Sequence, residues 1–432
     1  MDETLRDSES KIPTDRPHEA PCSSPKGWLV LGLCSLLFIS SQFHRVSNAI
    51  IAVQLREDLN ISAESLGVLS ACFFYAFAVM QVPLALFLDR IGGRLCMGAL
   101  SILGAAGGII FSVAGGVQGA VLGRVLLGMG MAGNLMGSLK LISNWFPPQQ
   151  FATLSGLLLA LGTLGNMLAA TPLALMVEKL GWRWSIGLSA VGTGFLALVF
   201  LALVRERPSH LKDQSLTSAP ASTLGQVGYL LRLREYWLIS MATFFRYGTF
   251  VAIQGLWAGP YLIQVLGLGP VRSGNILVLL NLGLVLGSPL GGILSDRWIG
   301  SRKQVVVMGL GVMAVAELAL ALGWCGDDPL WLAVLFVSLG LSSAFGQVMY
   351  AHIKDMVPGP MTGMALTGIN LFTMLGAASF LQGLGWVLDR WAQGGGSSQE
   401  AFTAAFLSAF GGVALALLLY LFTREAHPSG RN

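Results

Sequence analysis

The chain has 432 residues, of which 54% are hydrophobic and 11% are charged, and its net charge is +4. Soluble globular proteins carry roughly 25% charged residues, so this composition excludes an ordinary soluble fold and predicts a polytopic α-helical membrane protein. The small net charge gives no reason to expect a nucleic-acid partner, and five cysteines without Cys-x-x-Cys spacing predict no disulfide framework, no metal site and no cofactor.

The chain begins with a polar segment, residues 1–27, which contains proline, serine and charges of both signs. The first apolar run starts at Trp28 and is too long for the core of a signal peptide. We therefore expect residues 1–27 to form a disordered cytoplasmic tail rather than a cleaved address.

Apolar runs long enough to cross a membrane, about 20 residues each, follow this tail. The sequence contains twelve of them, at 28–53, 65–88, 95–114, 119–142, 151–176, 184–204, 236–262, 272–295, 304–324, 329–351, 361–386 and 400–422. A long polar break, residues 205–235, separates the sixth run from the seventh. We expect an all-α protein with twelve transmembrane helices in two pseudo-symmetric six-helix bundles, 28–204 and 236–423, joined by this cytoplasmic linker and followed by a short cytoplasmic tail, 424–432.

Lysines and arginines are distributed unevenly between the two ends of these predicted helices. With the N-terminus in the cytoplasm, 18 of them fall in cytoplasmic segments and five fall on the other side. Cytoplasmic loops of membrane proteins carry such an excess of positive residues. This distribution predicts that both termini are cytoplasmic, and we expect a bacterial inner membrane.

Two patterns repeat at about half the chain length. The first is a charged turn between the second and third runs of each half. Its characteristic residues are Asp89, Arg90, Gly92 and Arg94 in one copy and Asp296 and Arg297 in the other. The second pattern lies in the fifth run of each half, where Gly156, Gly162 and Gly165 have the spacing of a tight helix–helix contact that Gly368 and Gly376 partly repeat.

With this repeated turn, the linker and the twelve runs, the sequence resembles the major facilitator superfamily of secondary transporters from Trp28 to Thr423. Asp89, Arg90, Gly92 and Arg94 fall on the positions of that family's signature turn. Ala85 replaces its leading glycine, and the second copy has one additional residue after Arg297.

The resemblance implies two bundles around a central cavity that opens to either side alternately. It also implies that Asp89 caps a helix end across the interface and holds the outward-open state. The alternative is that the charges of both turns only anchor the topology.

Three arginines lie inside predicted spans, where a charge is costly and indicates function. Arg45 lies deep in the first span. Its surroundings resemble the Asp-Arg-x-Asn element of the organic-anion branch, the anion:cation symporters, although Asn48 falls one place later than in that element. In that branch the arginine binds the substrate carboxylate, which a planar guanidinium matches well. The alternative is that Arg45 pairs with helix-end carbonyls or reaches the membrane surface.

The other two arginines have less certain roles. Arg246 lies in the seventh span, the repeat partner of the first, so Arg45 and Arg246 are candidates to face one cavity from opposite sides. The alternatives to ligand contact for Arg246 are gating and a side chain that reaches the membrane surface. Arg124 begins the fourth span, where the family has an arginine that is often linked to proton coupling. Alternatively, Arg124 reaches the nearby membrane surface.

Acidic residues are missing from two positions of the organic-anion pattern, which read His44 and Met131 here. Glu317 is the one acid deep in a span, and we expect it to be structural. If protons are coupled, His44 is the candidate, because imidazole titrates near neutral pH. The missing acids leave symport, uniport and exchange open.

Neutral polar residues on the first and fourth helices of each half, and on their neighbours, are further candidates for the cavity lining. A lone amide or tyrosine in a membrane helix can instead serve packing. Besides Arg45, Arg246 and His44, the candidates that we expect to bind substrate are Asn48, Tyr75, Asn134, Gln254, Trp257, Asn281 and Asn370.

These features lead to one main hypothesis and two alternatives. The main hypothesis is a monomeric secondary transporter of a small, carboxylate-bearing organic anion, with proton coupling left open. The alternatives are a transporter of a zwitterionic amino acid or peptide and an exporter of drugs or siderophores. We expect no enzyme, because the sequence has no Walker A loop, His-Glu-x-x-His motif or nucleophile elbow.

Overall fold

The structure is a computed structural model that describes residues 25–206, 223–324, 326, 328–358 and 361–425. The side chains of a few helical residues, Asp89 among them, are outside this description. The predictions for residues 1–24, for most of the linker (207–222) and for the end of the C-terminal tail (426–432) also lie outside the described residues.

The described chain forms helices joined by short turns, and we number the membrane-spanning helices α1 to α12. Helix α1 has two segments, Pro25–Val46 and Asn48–Leu59. Helices α2 (63–91) and α3 (93–112) form one run, Ala63–Ser112, that bends at Gly92. Helix α4 comprises Val117–Met131 and Gly133–Trp145. Helix α5 begins with Pro148–Leu168 and continues into the run Thr171–Leu203, which also contains α6 (182–203).

The second half begins after a short linker helix, Thr223–Arg232, that the sequence did not predict. Helix α7 consists of Arg234–Ala252 followed by π-helical and α-helical turns that end at Val265. Helix α8 is Pro270–Ile293 with a π-helical end, Leu294–Trp298. Helix α9 is Arg302–Ala321, and α10 comprises Pro329–Phe345 and Val348–Met356. Helices α11 and α12 are Thr362–Gln393 and Ser398–Leu421.

Ten helical stretches of the described chain are long and apolar enough to cross a membrane. One of them, Thr153–Leu203, contains two spans, because the chain turns at Gly181, where φ is 76°. Helix α7 is not among the ten, because polar residues such as Arg246, Gln254 and Gln264 lower its mean hydropathy. With these two additions, the twelve-helix fold predicted from the sequence is confirmed.

Glycines make matching close contacts in the two halves. Gly165 brings α5 against the backbone of α1, and Gly376 brings α11 against the backbone of α7 in the same way. Gly128 and Gly340 join α4 to α2 and α10 to α8. A Cβ would lie 2.1 Å from a backbone oxygen of the neighbouring helix at Gly165, Gly376 and Gly128 and 1.9 Å from one at Gly340. No larger residue fits these positions without separating the helices, so the two halves repeat the same packing.

The first and fourth helices of each half are interrupted inside the membrane. Helix α1 breaks at Ser47 and α4 at Ala132. Helix α10 breaks at Gly346 and Gln347, and α7 contains the π-helical turns. Each interruption releases backbone groups that water cannot reach in the apolar layer, so other protein groups must satisfy them.

The predicted glycine contact of α5 is only partly correct. Gly162 and Gly165 face α1, but Gly156 has open space around it. We expect Gly165→Ala to lower the melting temperature of the detergent-solubilised protein, because overpacking of this kind costs about 1–3 kcal/mol. Gly156→Ala on the same helix is the control and should leave the melting temperature unchanged. Equal melting temperatures for the two variants would contradict the contact.

Candidate functional site

The two halves contact each other between mid-depth and one end of the molecule. We name that end of the molecule the far end. The opposite end carries the two Asp-Arg turns, and we name it the turn end. At the far end, Thr171 of α5 donates a hydrogen bond to Asn275 of α8 at 2.7 Å. Gly259 of α7 lies against α1 so closely that a Cβ would be 1.7 Å from the carbonyl oxygen of Ala49. These contacts close the space between the halves at the far end.

Arg45 lies at the junction between the halves, at mid-depth. Its guanidinium donates to the hydroxyl of Tyr247 on α7 at 3.2 Å and lies 5.1 Å from the ring centre of Phe77 and 6.0 Å from that of Phe74. The side chain is half-buried, and its buried Nε has no hydrogen-bond partner. Arg45 is therefore a cation on an aromatic floor with donor capacity left for a ligand.

Other polar groups border the same junction. Tyr75 of α2 donates to the side chain of Gln382 on α11 at 3.4 Å, across the two halves. Asn370 of α11 is half-buried, and one turn away along the same helix Thr373 bonds Tyr350 of α10 at 3.0 Å. Of the predicted substrate-binding residues, Arg45, Tyr75 and Asn370 thus remain candidates for the cavity wall.

Two junction residues escaped the sequence reasoning, Tyr247 and Gln382. Tyr247 follows Arg246 directly in the sequence, and the charge of Arg246 is the stronger signal of the two. Gln382 lies in a stretch of α11 with no charged residue. Neither position has a sequence signal that separates it from an ordinary polar residue in a membrane helix.

Arg124 is almost fully buried within the first half, at 1% exposure, and does not reach the membrane surface. Its guanidinium donates to the backbone carbonyl of His44 at 3.1 Å, in the last turn before the break in α1. It also lies 4.9 Å from the ring centre of Phe73 and 5.8 Å from that of Phe111. A cation at the C-terminal end of a helical segment is favourable, because the segment ends in partial negative charge.

Arg246 plays the corresponding part in the second half. It is buried and donates to the backbone carbonyl of Ser343 at 2.7 Å, in the last turn before the break in α10. Gly346 leaves room for it, since a Cβ there would be 2.3 Å from the Cδ of Arg246. The hydrogen-bonded end of Arg246 therefore points into its own half, and the expected pair of facing arginines does not form.

The other substrate-binding residues predicted in the first half bond to helices of that same half. His44 is buried, with Nε2 3.3 Å from the hydroxyl of Thr193 on α6. Asn48 donates to Ser70 of α2 at 2.8 Å. Asn134 accepts from the hydroxyl of Ser101 on α3 at 2.9 Å. Their hydrogen bonds all stay within the first half.

The second half holds its predicted amides and tryptophan in a similar way. Gln254 donates to Asn281 at 2.8 Å, which links α7 to α8. The indole of Trp257 donates to the carbonyl of Leu381 on α11 at 3.2 Å. All three side chains are buried, so their observed contacts hold helices together.

At the first Asp-Arg turn, the contacts stay within the first half. The carboxylate of Glu206, just after α6, accepts from the backbone N–H groups of Gly93 at 2.9 Å and Arg94 at 2.7 Å. The guanidinium of Arg94 donates to the carbonyl of Leu201. Gly92 has a φ of 84°, and a Cβ there would meet the Glu206 carboxyl group. Arg90 is exposed, and the side chain of Asp89 is outside the described part.

The second turn uses a different set of partners. Arg302 pairs with Asp296 and with Asp355 of α10, the latter at 3.1 Å. The hydroxyl of Ser301 bonds the carboxylate of Glu425, just after α12. Arg297 is exposed.

A third pattern that repeats in the two halves lies next to these turns. Arg205-Glu206 follows α6, and Arg424-Glu425 follows α12. Each glutamate bonds the start of the third helix of its half. The repeated Arg-Glu pair could have been found in the sequence, because it lies at the same place in each half.

Comparison with known proteins shows which family the chain resembles over most of its length. A sequence profile of the Major Facilitator Superfamily matches residues 33–281 and 248–432. A putative tartrate transporter of Agrobacterium vitis is 25% identical over 375 residues, which cover 82% of each chain. A probable sulfoacetate transporter of Cupriavidus necator is 24% identical over 387 residues, 84% of this chain and 87% of the relative.

Among solved structures, a bacterial homologue of the human lysosomal transporter Spinster, in an inward-facing and unoccupied conformation, superposes with a TM-score of 0.78. The alignment covers 93% of this chain and 97% of that one, at 15% sequence identity. At that identity the likeness concerns the fold alone.

The cap that Glu206 places on α3 yields a prediction. We expect Glu206→Ala to lower the free energy of unfolding by about 1–2 kcal/mol, because two backbone N–H groups lose a charged acceptor. Glu178→Ala is the control, since Glu178 is exposed near the end of α5. Thermal unfolding in detergent measures both variants, and an unchanged melting temperature for Glu206→Ala would contradict the cap.

Proposed function

Because the chain belongs to the Major Facilitator Superfamily of secondary transporters, we propose that it carries a small organic anion across the membrane and that Arg45 binds the substrate carboxylate. The observation that carries the proposal is the position of Arg45. It is the predicted cation at the junction of the halves, and it retains a buried donor without a partner. Substrate sites of such transporters lie near the membrane midplane, between the repeats.

The charge balance at the junction favours an anion. Among the described residues, no carboxylate lies within ion-pair distance of Arg45. A zwitterion would also need a partner for its amine. Of the two aromatic side chains that could supply a cation–π face, Trp257 is buried and bonded to α11, and Tyr75 is left at the junction, bonded to Gln382. A carboxylate that enters this low-dielectric site gains a bidentate, charge-assisted partner.

The relatives support the same class of substrate. Two are named for tartrate and sulfoacetate, which are small, water-soluble anions that bear a carboxylate. The hydroxyls of Tyr247 and Tyr75 border the junction near Arg45 and suit hydroxyl or second acidic groups of such molecules. We therefore propose a hydrophilic organic acid rather than an apolar drug as the cargo.

We further propose that the turn end faces the cytoplasm of a bacterial cell. The uneven distribution of lysine and arginine supports this orientation. The contacts that join the halves then close the outer side, so this conformation would be open to the inside. Transport would proceed when these contacts separate and the halves close at the turn end instead.

Proton coupling is a separate part of the proposal and rests on His44. The imidazole is bonded to Thr193 behind α1, and the backbone carbonyl of His44 accepts from Arg124. A change in the charge of His44 would therefore act on the break in α1, because His44 lies three residues before Ser47 and next to Arg45. Protonation of His44 would in this way affect the substrate site without direct contact between the imidazole and the substrate.

Arg45 can be tested in proteoliposomes. A thermal-shift screen of tartrate, sulfoacetate and other organic acids identifies a ligand, because a ligand that binds the folded state raises the melting temperature. We expect Arg45→Ala to reduce uptake of that acid at least about 30-fold, which corresponds to roughly 2 kcal/mol. Arg45→Lys should retain part of the activity, since lysine keeps the charge but loses the planar fork.

The control is Arg272→Ala, because Arg272 is exposed at the far end. It should transport like the parent. If Arg45→Ala takes up the acid at the parent's rate, the assignment of Arg45 is wrong.

The proton proposal predicts a specific pH dependence. An inward proton gradient should accelerate uptake by the parent and should have no effect on His44→Gln, which keeps a hydrogen-bonding group beside Thr193. Uptake with and without the gradient, and with a protonophore that abolishes it, measures the effect. Equal acceleration of parent and variant would exclude His44 as the coupling residue.

A further inference from the structure

One carboxylate bridges the two halves at the far end, and neither the fold nor the substrate site accounts for it. Asp389, near the end of α11, accepts hydrogen bonds from the backbone N–H groups of Ala63 and Glu64, both at 2.9 Å. These are the first two residues of α2, in the other half. The Asp389 side chain is buried, with 7% exposure.

The N-terminus of α2 needs this partner. The first N–H groups of a helix have no acceptor in their own helix and carry partial positive charge. Ser62 caps part of the end, since its hydroxyl accepts from the N–H of Ser65 at 3.1 Å. The N–H groups of Ala63 and Glu64 are bonded by Asp389 instead, so the cap of α2 is completed from the opposite half.

The geometry permits this bridge only while α2 and α11 are in close contact. A Cβ at Gly67 would lie 2.7 Å from the carbonyl oxygen of Leu381, and a Cβ at Gly385 would lie 2.6 Å from that of Ala63. When the helices separate, the carboxylate loses both donors at once. The bridge therefore contributes only to the conformation that is closed at the far end.

We propose that Asp389 is the latch of the far gate: it stabilises the closed far end and must release α2 before the cavity can open there. This rests on the alternating access set out above. Asp389 is a positioning residue, since it acts through the halves and does not touch the substrate. The sequence places Asp89 near the C-terminal end of α2 at the turn end. The antiparallel pair α2 and α11 thus carries one aspartate near the end of each helix, at opposite ends of the molecule.

Cysteine accessibility tests the latch without knowledge of the substrate. Val53 and Asp389 line the same small pocket at the far end, of about 110 Å³. In a background with all five cysteines replaced by serine, Val53→Cys reports opening by its reaction with a charged, membrane-impermeant methanethiosulfonate. We expect Asp389→Asn to raise the labelling rate at least about tenfold, because the amide loses the charge and one acceptor oxygen.

The matched control is Asp328→Asn. Asp328 also caps a helix at the far end, since it accepts from the N–H groups of Leu330 at 2.8 Å and Trp331 at 3.2 Å. It belongs to the same helix that it caps, so its loss cannot separate the halves. Labelling of Val53→Cys should be unchanged in this variant.

A second variant removes the donor instead of the acceptor. Ala63 is the first residue of α2, where proline is tolerated, and Ser62 has the extended backbone that a following proline requires, with φ −71° and ψ 167°. Ala63→Pro should also raise labelling, and adding Asp389→Asn should increase it less than additively.

Parent-like labelling in both Asp389→Asn and Ala63→Pro, with both proteins monodisperse and helical, would overturn the latch. The failure of the transport proposal looks different. In that case no organic acid is taken up, while the labelling rates still separate Asp389→Asn from Asp328→Asn.

Discussion

A helix that breaks inside the apolar layer leaves backbone carbonyls without water to donate to them, and this constraint organises both halves of the protein. Arg124 donates to a carbonyl in the last turn of the first segment of α1, and Arg246 donates to one in the last turn of the first segment of α10. A guanidinium suits this task because it carries positive charge to a helix C-terminus and several donors in one plane. The observed hydrogen bonds of these two arginines therefore stay within their own halves. Arg45 is left at the junction with its charge available.

Close glycine contacts occur both within the halves and between them, and the difference decides what can move. Gly165 and Gly376 bring neighbouring helices of one half into backbone contact, and nothing in the transport cycle requires these helices to part. Gly259, Gly67 and Gly385 also make close backbone contacts, but across the junction. Under alternating access only the second group separates. Each half would then move as a rigid unit, with the junction as the surface that opens.

Carboxylates at helix N-termini recur at both ends of the molecule with different consequences. Glu206 caps α3 from the same half and so fixes the turn between α2 and α3. Asp389 caps α2 from the other half and so responds to the distance between the halves. The chemistry is the same in both cases, namely a charged acceptor on unpaired N–H groups. Such a cap stabilises the fold of one half when the acceptor belongs to the same half as the helix. It stabilises one conformation of the protein when the acceptor belongs to the other half.

The sequence by itself determined the membrane class, the twelve spans and the family resemblance, and it singled out Arg45 as a candidate, because hydrophobic length and charge inside a span are properties of single segments. It did not determine where polar side chains point. His44, Asn48 and Asn134 carry the same pattern as cavity residues but bond within their own half. Tyr247, Gln382 and Asp389 gain their partners from helices far away in the chain. Only the tertiary structure decided these roles, because they depend on how two helices face each other, which a uniformly apolar span does not encode.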